Sequence, residues 1–298
     1  MTIPAVEPTT RTLETDGAVI TFDVRPNGNS TKPMLVLIGS PMGAGGFTTL
    51  AGHFADRTVV TYDPRGTERS KRTDGLTENT PEEHADDVAR LIEHLGGGPV
   101  DLFASSGGAV NALALTALHP DKLRTVVAHE PPLVRYLPDA DVAQRVTQDM
   151  HSTYQREGVG PAMAKFIALV SHVGELTEEY LQRPAPDPAM FGLPTEDDGK
   201  RDDALLGQNL ISSTFYEPDL ATLERIVTSG RPRLVIAVGE QSKGQLAGRA
   251  GTGVAERLGA IVEVFPSDHG GFLGGEYGQR GDPDAFAAKL RQVVDAGE

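Results

Sequence analysis

The sequence predicts an α/β protein, with a mostly parallel sheet flanked by helices and opened by a long helical insertion. Three observations carry this. Short apolar runs alternate with helix-length segments from Ala18 to Ala128, as when parallel strands are joined by right-handed helical crossovers. The residues after Pro132, as far as Arg231, have mostly helical spacing. Alternation of strand and helix then resumes at Leu234 and continues to Val294.

Ala18–Val24 alternates well enough for a strand, and Asn27-Gly28-Asn29-Ser30 turns the chain after it. Met34–Ile38 is apolar throughout, as a strand covered on both faces must be. It ends in a glycine-rich loop, Gly39 to Gly46, and a short helix is expected through Leu50 and Phe54. Val59–Tyr62 reads as the next strand, closed by Asp63-Pro64-Arg65-Gly66. Thr80 at an N-cap, Pro81 at N1 and Glu83 at N3 form a capping box. The helix they start carries Val88, Leu91, Ile92 and Leu95 on one face, and Gly96 is placed to end it.

Val100–Ala104 is a further buried strand, and it passes through Ser105-Ser106-Gly107-Gly108 straight into the apolar helix Ala109–Leu118. Ala104-Ser105-Ser106-Gly107-Gly108 fits the small-x-Ser-x-small pattern of a nucleophile elbow, with Ser106 at its centre. Small flanking residues let backbone approach backbone at such a turn. Val126–Ala128 is the last strand before the insertion, ending at His129-Glu130-Pro131-Pro132. Two helical stripes follow, one of Val142, Val146, Met150 and Tyr154, the other of Met163, Phe166, Ile167 and Val170. The Pro- and Asp-rich stretch from Arg183 to Lys200 reads as a loop. Leu234–Val238 and Ala260–Phe265 are the remaining strands, with helices at Ala250–Leu258 and Asp284–Val294.

Composition narrows the function classes. The chain has 298 residues, 39% of them hydrophobic and 23% charged, and a formal charge of −15. Nucleic acid and anionic membrane both require a basic face, so neither is expected as a partner. With no cysteine, disulfides and thiolate metal sites are excluded. The first ten residues lack the basic and apolar regions of a secretory signal, so a cytoplasmic location is expected. The glycine-rich loop lacks both G-x-G-x-x-G spacing and the Lys-Ser/Thr pair of a P-loop. No cofactor or metal is expected.

In an open parallel sheet, ligands bind at the carboxyl ends of the strands. A serine (Ser106), a histidine (His269) and two glutamates (Glu130 and Glu240) stand at such ends. They are the groups that serine nucleophilic catalysis needs: a hydroxyl, an imidazole base and a carboxylate to orient it. Of the eight histidines, His269 alone follows the last strand, with glycines after it that permit a tight loop. His53, His84 and His94 lie on expected helices and His119 at a helix end, where surface or capping roles are expected; His129, beside Glu130, should face away from it.

The sequence resembles the α/β-hydrolase superfamily. The resemblance runs from about Val19 to Val294 and rests on four stretches: L-V-L-I-G-S-P-M, Y-D-P-R-G-T-E-R-S, A-S-S-G-G and F-P-S-D-H-G-G-F. Ile38 departs from the His often found there, and Glu68 from a frequent second Gly. The resemblance implies a core of residues 1–132 and 230–298 and a helical cap at 133–229, inserted after the sixth core strand. By similarity, Ser106 is the nucleophile, His269 the base, and the backbone N–H groups of Ser40 and Gly107 form the oxyanion hole. Most relatives take the acid from after the next strand, where this chain has Gly239-Glu240-Gln241-Ser242. Some, zearalenone-type lactonases among them, take it from the end of the sixth, and Glu130 is preferred over Glu240 on that ground. The implied activity is hydrolysis of an apolar small-molecule ester or lactone. C–C bond hydrolysis or perhydrolysis on the same triad, a ligand receptor without turnover, and a homo-oligomeric state are further readings that the sequence leaves open.

Overall fold

A computed structural model describes residues 7–296. Strands β1 (Thr9–Thr15), β2 (Ala18–Arg25), β3 (Leu35–Ile38), β4 (Val59–Tyr62), the two-residue β5 (Lys71–Arg72), β6 (Val100–Ser105), β7 (Leu123–His129), β8 (Arg233–Gly239) and β9 (Val262–Phe265) form one sheet. Its order is β1-β2-β4-β3-β6-β7-β8-β9, with β5 paired to β2. The pairs from β4 across to β9 are parallel, while β1, β2 and β5 add an antiparallel edge. This is the fold class that the alternation predicted. The polar strand β1 (TTRTLET) has no apolar run to announce it; it forms by pairing residue for residue with β2.

Helices α1 (Thr48–Gly52), α2 (Pro81–His94) and α3 (Gly107–Leu118) connect the first strands. The capping box of α2 is formed in full: Thr80 Oγ1 accepts from the Glu83 N–H, and Glu83 accepts from the Thr80 N–H. α3 is apolar almost all round because sheet and helices enclose it; every residue from Gly107 to Thr116 is buried. Between β7 and β8 lie α4 (Ala140–Glu157), α5 (Val159–Val170), α6 (Glu178–Gln182), α7 (Leu210–Thr214) and α8 (Leu220–Ser229). α9 (Leu246–Leu258) and α10 (Pro283–Asp295) complete the chain.

Two apolar clusters cover the two faces of the sheet. One packs α2 and α3 on Val36, Leu102 and Val126; the other packs Phe47, Phe54 and α10 on Leu37, Phe103 and Val127. Neighbouring residues of a strand enter opposite clusters, as the pleat requires. A third cluster joins the inserted helices through Val146, Met150, Tyr154 and Leu169 to Leu246 and Ala250 of α9. At the amino end of β6 the fully buried Asp101 binds Arg57 (2.9 Å) and Arg124 (2.6 and 2.8 Å). No helix among the described residues is long and apolar enough to cross a membrane.

Candidate active site

Ser106 is the residue between β6 and α3, and its backbone is strained, with φ 59° and ψ −126°. A non-glycine residue held there costs about 1–3 kcal/mol, which the surrounding contacts must offset. Those contacts are visible. The Ser106 N–H donates to the His129 carbonyl (3.0 Å), and the Ser106 carbonyl accepts from Ala109 (2.9 Å). On the other side the elbow presses against the loop after β3. A Cβ on Gly107 would lie 2.5 Å from the Ser40 carbonyl oxygen, and one on Gly108 2.7 Å from that of Ile38. The glycines are thus what lets the two loops touch.

Glu130 immediately follows β7 and is fully buried, with φ 52°. Its N–H donates to the Ala237 carbonyl (2.9 Å), and its Oε1 accepts from the Gly239 N–H (2.8 Å). Its Oε2 accepts from His269 Nδ1 at 2.5 Å. Burial alone would raise the Glu130 pKa; the imidazoles of His129 and His269 and the Gly239 N–H outweigh it and bring it down to about 2. In His269, burial disfavours the imidazolium, but the bond to Glu130 and its charge win and raise the pKa. Since Nδ1 is held by the carboxylate, the neutral ring presents Nε2 as its basic nitrogen. Glu240 is exposed and makes no side-chain hydrogen bond among the described residues; the structure brings Glu130, and not Glu240, to His269.

Ser106 and His269 both line a cavity of about 850 Å³ under the inserted helices, together with Ser40 and Gly107. The Ser106 hydroxyl has no hydrogen-bond partner among the described residues. Contacts of this kind are often loose before substrate arrives. The Ser40 and Gly107 N–H groups likewise donate no hydrogen bond within the described residues, and Gly107 opens the twelve-residue helix α3. Two free N–H groups on loops in van der Waals contact are suited to hold an oxygen that gains negative charge.

Three side chains depart from expectation or escaped it. His129 does not face away from Glu130. The positive φ of Glu130 breaks the strand alternation, and the buried His129 Nε2 lies 3.9 Å from Glu130 Oε1. The His129 ring is roughly parallel to that of His269 (centroids 5.9 Å apart) and is packed by Phe103, Phe265 and Phe286. Burial brings its pKa down to about 4, so it is neutral at pH 7. His84, expected at a surface or cap, is buried, and its Nε2 lies 3.1 Å from Asn209 Oδ1. Asn209, at the start of α7, also accepts from Ser40 Oγ at 3.4 Å, tying an inserted helix to the loop after β3. No periodicity marks Asn209, and only its position in space shows the contact.

The charged residues after β4 brace the same loops. Asp63 Oδ1 accepts from the Ala44 N–H (2.8 Å), and its Oδ2 pairs with Arg69 (2.6 Å). Arg65 pairs with Asp87 (2.7 and 2.8 Å) and Glu83 (2.9 Å). Glu68 has φ 47°, which accounts for a glycine being frequent at its place. Among the described residues, no group of three or more His, Asp or Glu side chains could hold a metal ion.

The fold and this site can be set beside known proteins. A family model described as "alpha/beta hydrolase fold" matches residues 32–154. An uncharacterized hydrolase of Bacillus subtilis, YraK, is 28% identical over 277 residues, 88% of this chain and 89% of that protein. The 2-(acetamidomethylene)succinate hydrolase of Mesorhizobium japonicum is 34% identical over 110 residues, 37% of this chain and 38% of that one. Among solved structures, the enol-lactonase from Burkholderia xenovorans superposes with a TM-score of 0.65 at 16% identity, covering 96% of this chain and all of that one. With this sheet order, this strand-to-helix elbow and these matches, the chain has the α/β-hydrolase fold, and residues 32–154 match that family's model.

Proposed function

We propose that the protein is a cofactor-independent serine hydrolase of a carboxylic ester or lactone. Ser106 Oγ attacks the carbonyl carbon while His269 Nε2 takes the hydroxyl proton, and the Ser40 and Gly107 N–H groups hold the resulting oxyanion. Glu130 keeps His269 in the tautomer with Nδ1 protonated and stabilises the imidazolium. His269 then returns the proton to the leaving alcohol oxygen, which leaves an acyl-enzyme. A water that gives its proton to His269 attacks the acyl carbon, and the acid departs as Ser106 regains its proton. The helices between β7 and β8 serve as a cap that closes the acyl site from above.

One observation carries the reading: a serine at a strained elbow opens into the same cavity as a histidine whose other ring nitrogen is bonded to a buried carboxylate. The hydrolase and lactonase relatives lend it weight. The test compares wild type with Ser106→Ala on p-nitrophenyl esters of graded chain length and on a panel of lactones. Turnover is expected to fall to background with an unchanged melting temperature. Retained turnover in the variant overturns the assignment.

A further inference from the structure

The walls of the cavity hold more information than its catalytic corner. The upper wall is apolar, built from Met150, Phe166, Leu169, Val170 and Leu210 of the inserted helices. The ionisable groups that line it, His269 apart, are carboxyl groups (Glu68, Asp203 and Asp268) and the Tyr277 phenol. No lysine or arginine lines it among the described residues. Nearby cations are turned to other work. Arg69, next to Glu68, is held by Asp23 (2.9 Å) and Asp63 (2.6 Å), and Arg249 pairs with Asp139. Lys243 is exposed and does not reach the lining.

Two neutral polar side chains lean the same way. Thr147 and Thr214 sit on α4 and α7, and each hydroxyl donates to the carbonyl one turn back (2.9 and 2.7 Å). Their protons are engaged, so toward the cavity these oxygens act as acceptors. Asp203 uses Oδ1 to accept from the Leu205 and Leu206 N–H groups (3.0 and 2.7 Å), and Asp268 accepts from Gly270 (3.0 Å). Both carboxyl groups are thereby held in place at the wall. Glu68 has no ion-pair or hydrogen-bond partner among the described residues, and its Cγ packs against Gly43 of the oxyanion loop.

Away from the catalytic corner and the neutral Ser and Gln side chains, a carboxylate or phosphate on a substrate would lose its water and meet three carboxyl groups and no cationic side chain to pair with, a juxtaposition that costs affinity. We infer that the cavity selects uncharged acyl groups or lactones, mainly aliphatic and bearing amide or hydroxyl donors where polar at all, and rejects anionic ones. Glu68 is a specificity-determining residue in this selection. The inference rests on the hydrolase reading and narrows it. It also separates this chain from the succinate-derivative hydrolase it partly resembles, whose named substrate is a dicarboxylate.

The test uses substrates matched in length: p-nitrophenyl hexanoate against the p-nitrophenyl monoester of adipic acid, with methyl hexanoate and monomethyl adipate as binding probes. The kcat/KM for hexanoate should exceed that for adipate by about tenfold or more. Calorimetric titration of Ser106→Ala should give the same preference in Kd between the methyl esters. In Glu68→Arg, the adipate-to-hexanoate ratio of kcat/KM should rise by about tenfold; a ratio within twofold of wild type overturns the role of Glu68. If adipate is turned over as well as hexanoate, and both need Ser106, the charge selection is wrong while the hydrolase reading stands. If no ester is turned over but Ser106→Ala still binds the neutral ester better, the hydrolase reading fails and the selection holds. Equal binding of the two methyl esters overturns the selection whatever the turnover.

Discussion

The replacement of Glu130 by glutamine is the sharpest probe of the site, because the structure dictates which way the amide must turn. Each carboxylate oxygen of Glu130 accepts one hydrogen bond, Oε1 from the Gly239 N–H at 2.8 Å and Oε2 from His269 Nδ1 at 2.5 Å. Glutamine offers only one accepting oxygen. The Gly239 N–H can do nothing but donate, so the oxygen turns to it and the NH2 group faces His269. Nδ1 must then be unprotonated, and the proton moves to Nε2, the nitrogen that should receive the serine proton. A triad with its imidazole in the wrong tautomer loses about 10⁴-fold in kcat, which is about 5.5 kcal/mol of transition-state stabilisation. The assay is p-nitrophenyl butyrate hydrolysis across pH, with circular dichroism to establish that the variant is folded. Glu240→Gln serves as the control, since Glu240 is exposed and makes no hydrogen bond or ion pair with the ring among the described residues, and should keep full activity. A Glu130→Gln enzyme with more than a tenth of wild-type kcat would refute the reasoning, the more so if Glu240→Gln were the inactive one.

Further outcomes follow from the same geometry. His269 must be neutral to act as a base and its pKa is raised, so the acid limb of the kcat/KM profile should lie above the ordinary histidine pKa of 6.5; it should move down in Glu130→Gln, where burial is opposed only by the charge of Asp268. A limb below 6.5 in the wild type would contradict this. Gly108→Ala places a methyl group 2.7 Å from the Ile38 carbonyl and 2.8 Å from Gly39 Cα. It should displace the oxyanion loop, with about 10²-fold loss of kcat and about 1–3 kcal/mol of stability, read by kinetics and urea denaturation. Asp101→Asn removes the charge between the buried Arg57 and the partly exposed Arg124 at the far end of β6 from Ser106. It should cost about 3–5 kcal/mol of stability while activity per folded molecule is kept; a melting temperature equal to wild type would count against that account.

The sheet was legible because its signals are local. Apolar runs, the Thr80-Pro81-Glu82-Glu83 helix start and the serine–glycine turn each fit within a few residues, and each forms where it was expected. β1 was not, since its residues are polar and only pairing with β2 makes it a strand. At the site, Ser106, His269 and Glu130 could be picked out as strand-end residues. The choice between Glu130 and Glu240 needs the third dimension, because it depends on which carboxylate meets a loop more than a hundred residues away. His129 was misjudged because alternation holds only while the backbone stays extended, and Glu130 leaves that region. His84 and Asn209 meet across 125 positions, and their contact has no trace in either local pattern.

The adjacency of β6 and β7 has a consequence for how the protein fails. Ser106 and Glu130 are fastened to neighbouring central strands, and the Ser106 N–H bonds directly to the β7 residue that precedes Glu130. His269 comes instead from a loop beyond the edge strand β9, outside the hydrogen-bonded ladder of the sheet, with its next anchor at the buried Phe272 and Leu273. Regions of that kind open at lower free energy than central strands. Gentle heating should therefore release the base before the sheet gives way, so that inactivation precedes melting. Amide exchange should run faster around residues 267–271 than in β6 and β7. The nucleophile and its acid would then remain in register, waiting for a single loop to return.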